Sequence, residues 1–185
     1  MQTQTIDFHP PAEEATPILL PVTTSLFADR ADRFDALANG HSLADWLLFL
    51  GQLSRAQQAA LKALPELALP DAASLEQART HGMPPLNIAL RPAAWRDALR
   101  QIARELGSDA PTGAHKALDA LLAADDACLE KLADTLLSGE LEAGDAAELP
   151  FVAAALQAVF TKLASQLDAS QLQMLDAHGI CPCCG

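Results

Sequence analysis

Tyrosine is absent from this 185-residue chain, and aromatic residues make up only 4% of it. Alanine and leucine dominate the hydrophobic residues instead, so the side chains that favour strands are scarce and an all-α protein is expected. Bases are few as well: 12 Lys and Arg stand against 24 Asp and Glu. The resulting net charge of -12 repels a phosphate backbone rather than releasing its counterions, which argues against nucleic acid as a partner. No long apolar run is present. The longest uncharged one, residues 149–161, falls short of the ~20 residues that a bilayer helix needs, so no membrane span is expected. Residues 1–17, MQTQTIDFHPPAEEATP, have neither a basic n-region nor an apolar h-region and therefore do not read as a secretory signal, which makes the cytoplasm the expected compartment. They also lack apolar periodicity and read as a disordered tail.

What the chain does contain is helical periodicity. Leu26, Phe27, Phe34 and Leu37 recur at helical spacing between Ser25 and a stop at Asn39-Gly40. Ser42 is placed to cap a second helix, whose apolar positions Leu43, Trp46, Leu47, Leu50, Leu53, Leu61 and Leu64 form the strongest hydrophobic stripe before Pro65. A third helix ends at His81-Gly82, after which Met83-Pro84-Pro85-Leu86 must be extended, because each proline disfavours the helical conformation in the residue before it. Pro92 opens a helix striped by Trp95, Leu99, Ile102 and Leu106. Residues 113–124 and 126–138 read as a helix pair, residues 140–148 as an acidic loop, and residues 150–167 as a last long helix, with a short helix over residues 170–177. Both tryptophans lie on these stripes, so both are expected to be buried, with Trp46→Ala costing about 3–5 kcal/mol. The charge is uneven: residues 1–104 carry a net -2 and residues 105–185 a net -10. The second half therefore presents either a solvated acidic exterior or a face for a basic segment of a partner.

Three of the four cysteines crowd into Cys181-Pro182-Cys183-Cys184-Gly185. In a reducing compartment that cluster suggests metal ligation rather than a disulfide. Cys181 and Cys184 are the ligand pair by spacing, because a Cys-x-x-Cys turn offers two thiolates to one ion while peptide N–H groups support the sulfurs. Two donors make half of a four-coordinate site, so the monomer is expected to bind iron or zinc weakly. His178 is a poor third ligand, and Cys128, inside a helix, reads as a small buried hydrophobe. A thioredoxin-like role would place the first cysteine at a helix N-terminus after a strand, a context missing here. No nucleophile with its base, paired carboxylates or phosphate-binding glycine loop stands out, and the chain is not expected to be an enzyme.

The stretch LFADRADRFDALANGHSLADWLLFLGQL at residues 26–53 resembles the opening signature of the formate dehydrogenase accessory protein family (FdhE). Two arginines precede a leucine-alanine pair, a histidine and an aromatic-rich helix; Arg30, Arg33, Leu37, Ala38, His41, Leu43, Trp46 and Phe49 fit, and Ser42 stands where the family has proline. GMPPL at residues 82–86, LPFVAAALQAVFTKLA at 149–164 and CPCCG at 181–185 follow in the family's order. The resemblance implies a cytoplasmic assembly or activation factor, a chaperone-like protein that binds the catalytic subunit of respiratory formate dehydrogenase before export. It also implies iron or zinc held through Cys-x-x-Cys pairs in full-length relatives. Residues 18–178 would then be the helical domain, and residues 179–185 the first knuckle of a rubredoxin-like or zinc-ribbon-like module cut short. Arg30, Arg33 and His41 are the candidate partner contacts, the arginines because they lie one turn apart on one helix. The alternative is a rubredoxin-like electron-transfer or metal-carrying protein in which the cysteines act and the helices are scaffold.

Overall fold

The structure, a computed structural model, describes residues 18–107, 110–140, 147–175 and 179–185. The expected tail, most of the acidic loop and His178 lie outside the described residues. Among those described, the regular structure is entirely helical: α1 (Leu26–Ala38), α2 (Ala44–Ala63), α3 (Ala72–Thr80), α4 (Ala94–Leu106), α5 (Thr112–Ala123), α6 (Asp126–Ser138) and α7 (Leu149–Ser165), with two short 3-10 turns, Ile88–Leu90 and Ala169–Gln171. The all-α expectation holds. The short helix expected over residues 170–177 does not form as such; only the 3-10 turn, capped by Asp168, takes its place among the described residues.

Three helices, α2, α4 and α7, pack on one another and make the core, with α1 laid on α2, α5 on α4 and α6 on α7. In α4 the stripe behaves as its spacing predicts: Trp95, Leu99 and Ile102 are fully buried and Leu106 nearly so. Burying such a side chain contributes about 1.5–3 kcal/mol each. Helix α7 carries Phe151, Val152, Ala155, Leu156, Val159 and Leu163 into the core, and Pro150 fits its first turn, where the missing N–H has no intrahelical role. Gly139 closes α6 in the left-handed region (φ 72°).

Helix α2 departs from the expected stripe. Its N-cap is Leu43, without any side-chain cap from Ser42. The nearby side-chain bond is to His41, whose Nδ1 accepts the N–H of the N-cap residue Leu43 itself at 3.0 Å. The buried positions of α2 are largely small or amide-bearing: Ser54, Ala56, Gln57, Gln58 and Ala60 beside Phe49 and Leu61. Trp46 is 52% exposed, contrary to expectation. Phe49 meets Phe151 edge-on at 6.3 Å near the start of α7, so Trp46, one turn earlier, lies beyond the end of that packing and rests on Phe49 at 5.8 Å. Its truncation therefore removes a surface shelf, and the cost falls to roughly 1 kcal/mol. Cys128 is also exposed, because α6 buries Leu129 and Ala133 and leaves the preceding position facing outward.

Part of the uneven charge is satisfied inside the molecule. Glu130 of α6 accepts from Trp95 Nε1 at 3.0 Å and pairs with Arg91 and Arg96. Asp134 takes Arg91 at 2.8 Å and Asp126 takes Arg100 at 2.6 Å. Acidic α6 thus clamps the basic edge of α4, a complementarity that neither sequence-level account of the acidic half contains.

Candidate functional site

The cysteine cluster folds as one tight turn. The Gly185 N–H returns to Cys181 O at 3.0 Å, and Gly185 sits at φ 90°, a conformation that a Cβ would strain. The turn is pinned from outside by the Leu86 N–H, which donates to Cys183 O at 2.8 Å. The two prolines before Leu86 keep that segment from closing into a helix, leaving its N–H free to reach across. The GMPPL and CPCCG segments, almost a hundred residues apart, therefore meet as a brace and the knuckle it holds.

Within the turn the three thiols differ. Cys183 is buried in the main core, Cys184 half-buried and Cys181 exposed. Burial works against the Cys181 thiolate, but the N–H groups of Cys183 and Cys184 outweigh it and bring the thiol below its ordinary value. Burial, with the neighbouring Cys181 charge, pushes Cys183 up to about 11 and Cys184 up to about 12. Cys183 is thus a core side chain, which leaves Cys181 and Cys184 as the two less buried thiols of the turn. No group of three His, Cys, Asp or Glu side chains among the described residues converges on a metal-sized point. The donor set suits half of a tetrahedral thiolate site.

Beside the knuckle runs an apolar groove of 410 Å³, walled by Ile18, Leu19 and Pro21, by Leu156, Phe160 and Ala164 of α7, and by the cysteines themselves. A second groove of 490 Å³ lies between α1, α2 and α7, with Phe34, Trp46, Phe49, Leu50 and Ala153 on its walls. Gln157 borders both. Its Oε1 accepts from Arg30 Nη1 at 2.9 Å and from Gln57 Nε2 at 3.0 Å, while Gln57 Nε2 also donates to Ala154 O at 3.0 Å.

Of the three candidate partner contacts, Arg30 is half-buried in the second groove, its guanidinium 4.9 Å above the Phe27 ring. Burial draws its pKa below the ordinary value, and it remains a cation at neutral pH. Arg33 is exposed one turn on, without an ion pair to any described residue. His41 lies in the α1–α2 connection, beyond the last residue of α1, Ala38, which is itself about 12 Å from Arg30 along the helix axis at 1.5 Å per residue, and the three do not converge. The amides that organise this region, Gln57, Gln58 and Gln157, were not singled out by the sequence. The one available signal was Gln157, the lone polar side chain in an otherwise apolar stretch of α7.

Residues 15–176 match the family described as "FdhE, N-terminal". A protein FdhE homolog from Pseudomonas aeruginosa is 34% identical over 176 residues, covering 94% of this chain and 57% of its own length. Homologs from Rhizobium meliloti and Yersinia enterocolitica are 34% and 36% identical, each across 91% of this chain and 56% and 55% of theirs. The crystal structure of the FdhE protein from Pseudomonas aeruginosa superposes with a TM-score of 0.76 at 32% identity, over 92% of this chain and 60% of that one. The chain thus spans a little over half the length of the curated relatives it matches.

Proposed function

The chain belongs to the FdhE family, and from that membership we propose that it is a non-catalytic accessory domain for respiratory formate dehydrogenase, binding the catalytic subunit in the cytoplasm during assembly or activation, before export. The observation that carries this reading is the family match itself, which runs through residues 15–176 and so rests on the helical body rather than on the cysteines. That also makes the electron-transfer alternative, in which the helices are mere scaffold, the weaker reading. Among the described residues no helix is long and apolar enough to cross a membrane.

Two kinds of surface support a binding role: the grooves on either side of Gln157, and the exposed Arg33 and His41. His41 uses Nδ1 as an acceptor for α2, which leaves Nε2–H as its donor toward a partner. At a metal site Cys181 and Cys184 would supply two thiolate donors to iron or zinc, with the others coming from elsewhere; the Cys183 and Cys184 N–H groups would favour the charged form of Cys181. Bound metal there would fix the knuckle against Leu86.

Co-purification with the catalytic subunit of a respiratory formate dehydrogenase tests the reading. The wild-type chain is expected to retain the subunit, and R33E to weaken retention with the helical content unchanged. R30E should weaken it further, although this variant also loses the Gln157 bond. Retention that is unaffected by both variants would move the contact face away from α1, and a chain that never retains the subunit would overturn the assignment. Substituting Cys181 and Cys184 by Ser should leave retention intact if the helices carry the contact.

A further inference from the structure

The chain has twice as many acids as bases, 24 against 12, and most of its arginines are matched with them. Arg55, Arg79, Arg91, Arg96 and Arg100 each pair with at least one carboxylate. Arg30 is an exception in a particular place. It is half-buried, no carboxylate of the described residues pairs with it, and its hydrogen-bond partner is the neutral Gln157 at 2.9 Å. Among the described residues it is also the one charged side chain lining the groove between α1, α2 and α7.

The guanidinium is held still. It lies over the Phe27 ring on one side, and Gln157 is itself fixed by Gln57, whose amide is tied to the α7 backbone. A guanidinium has five N–H donors, and the Gln157 bond uses one end of the fork. The others can meet a carboxylate side-on, the geometry in which arginine recognises anions best. On the wall of the same groove, Trp46 stands 52% exposed on its Phe49 support. A fixed arginine beside an exposed aromatic is the residue pairing that dominates protein-binding hot spots. At 490 Å³ the groove has room for a few side chains rather than a whole domain.

From this charge complementarity we propose that the α1/α2/α7 groove receives a short segment of a partner protein that presents a carboxylate to Arg30 and apolar side chains to Trp46 and Leu50. The inference rests on the accessory-protein reading and specifies what that partner must offer. An incoming carboxylate neutralises a cation that folding has already partly stripped of water, so it recovers more interaction here than at a fully solvated arginine.

The probes are two peptides, acetyl-Ser-Leu-Glu-Leu-Ser-amide and its Gln counterpart, titrated into the full chain while the two tryptophan indole N–H signals are followed by NMR, with W46F assigning them. The Glu peptide is expected to shift the Trp46 signal saturably and leave Trp95 in place. The Gln peptide should bind roughly tenfold more weakly, the size of one charge-assisted hydrogen-bonded contact. R30Q should abolish the difference between the peptides, and R30K, which keeps the charge but loses the fork, should retain part of it. Equal binding of the two peptides, a difference that survives in R30Q, or a Trp46 signal that moves with neither peptide overturns the proposal. So does a Trp46 shift that follows protein concentration alone, which would make a second copy the occupant. A chain that discriminates the peptides through Arg30 yet never retains the catalytic subunit keeps the groove and removes the assigned partner; one that retains the subunit through R30Q unchanged removes the groove alone.

Discussion

Gln58 is the side chain whose loss should be felt furthest from its own helix. It lies 5% exposed on α2, yet its Oε1 accepts the Phe27 and Ala28 N–H groups at 3.1 and 3.3 Å, and its Nε2 donates to Thr23 O at 2.8 Å. Helix α1 begins at Leu26 with Ser25 as N-cap and no side-chain cap bond of its own, so Gln58 caps it from across the hairpin. Replacing Gln58 by Met keeps nearly the same volume but orphans one buried donor at Phe27, a second, half-buried one at Ala28, and the Thr23 carbonyl. A buried unsatisfied group costs about 1–3 kcal/mol, and water can reach Ala28, so the sum is about 2–4 kcal/mol. For a chain of this length that corresponds to a fall in Tm of roughly 5–15 °C. Q58A adds a small cavity and should be worse by about 1 kcal/mol. Urea denaturation followed by circular dichroism measures both. A Q58M loss below about 0.5 kcal/mol would refute the trans-capping argument, and Q58A matching Q58M would show that the packing contribution is missing.

Trp46→Ala should cost only about 1 kcal/mol, whereas Trp95→Ala should cost about 3–5 kcal/mol, since Trp95 is fully buried and its N–H is bonded to Glu130; native fluorescence that shows two equally shielded indoles would contradict the difference. Burial tends to raise the Glu130 pKa, but hydrogen bonds from Arg96, Trp95 and Arg91 outweigh it and hold the carboxyl below its ordinary 4.5. Its contribution is therefore complete above about 4.5, and is lost as pH falls through that value and then through the lower folded one. E130Q should cost about 1–3 kcal/mol at pH 7, discounted for the third of the side chain that stays exposed, and should flatten the acid limb of the stability profile measured by urea titration from pH 7 to 3. Freshly reduced monomer is expected to hold well below one equivalent of iron or zinc by elemental analysis; stoichiometric, chelator-resistant metal in that fraction would demand donors beyond Cys181 and Cys184.

Local chemistry was legible because it is written in neighbouring residues. The stripe of Trp95, Leu99, Ile102 and Leu106 sets both the existence of α4 and its buried face, Gly139 ends α6, and alanine and leucine with few aromatics rule out a sheet among the described residues. The crowded cysteines with Pro182 and Gly185 likewise marked a tight turn, and four ordered segments carried the family resemblance. What spacing alone could not supply is where each stripe runs out. Trp46 continues the α2 pattern faithfully, but burial requires an opposing surface, and α7 begins only level with Phe49. The same holds for polar groups: nothing near Gln58 in sequence calls for a cap, because the orphan N–H groups it serves are about thirty residues away. Sequence determined the fold class and most of the helices. Only the tertiary packing decided that GMPPL would brace the cysteine knuckle, that Gln157 would tie Arg30 to α7, and that a half-buried arginine would face a groove with no carboxylate of the described residues beside it, since each depends on groups meeting across roughly a hundred residues or more of chain.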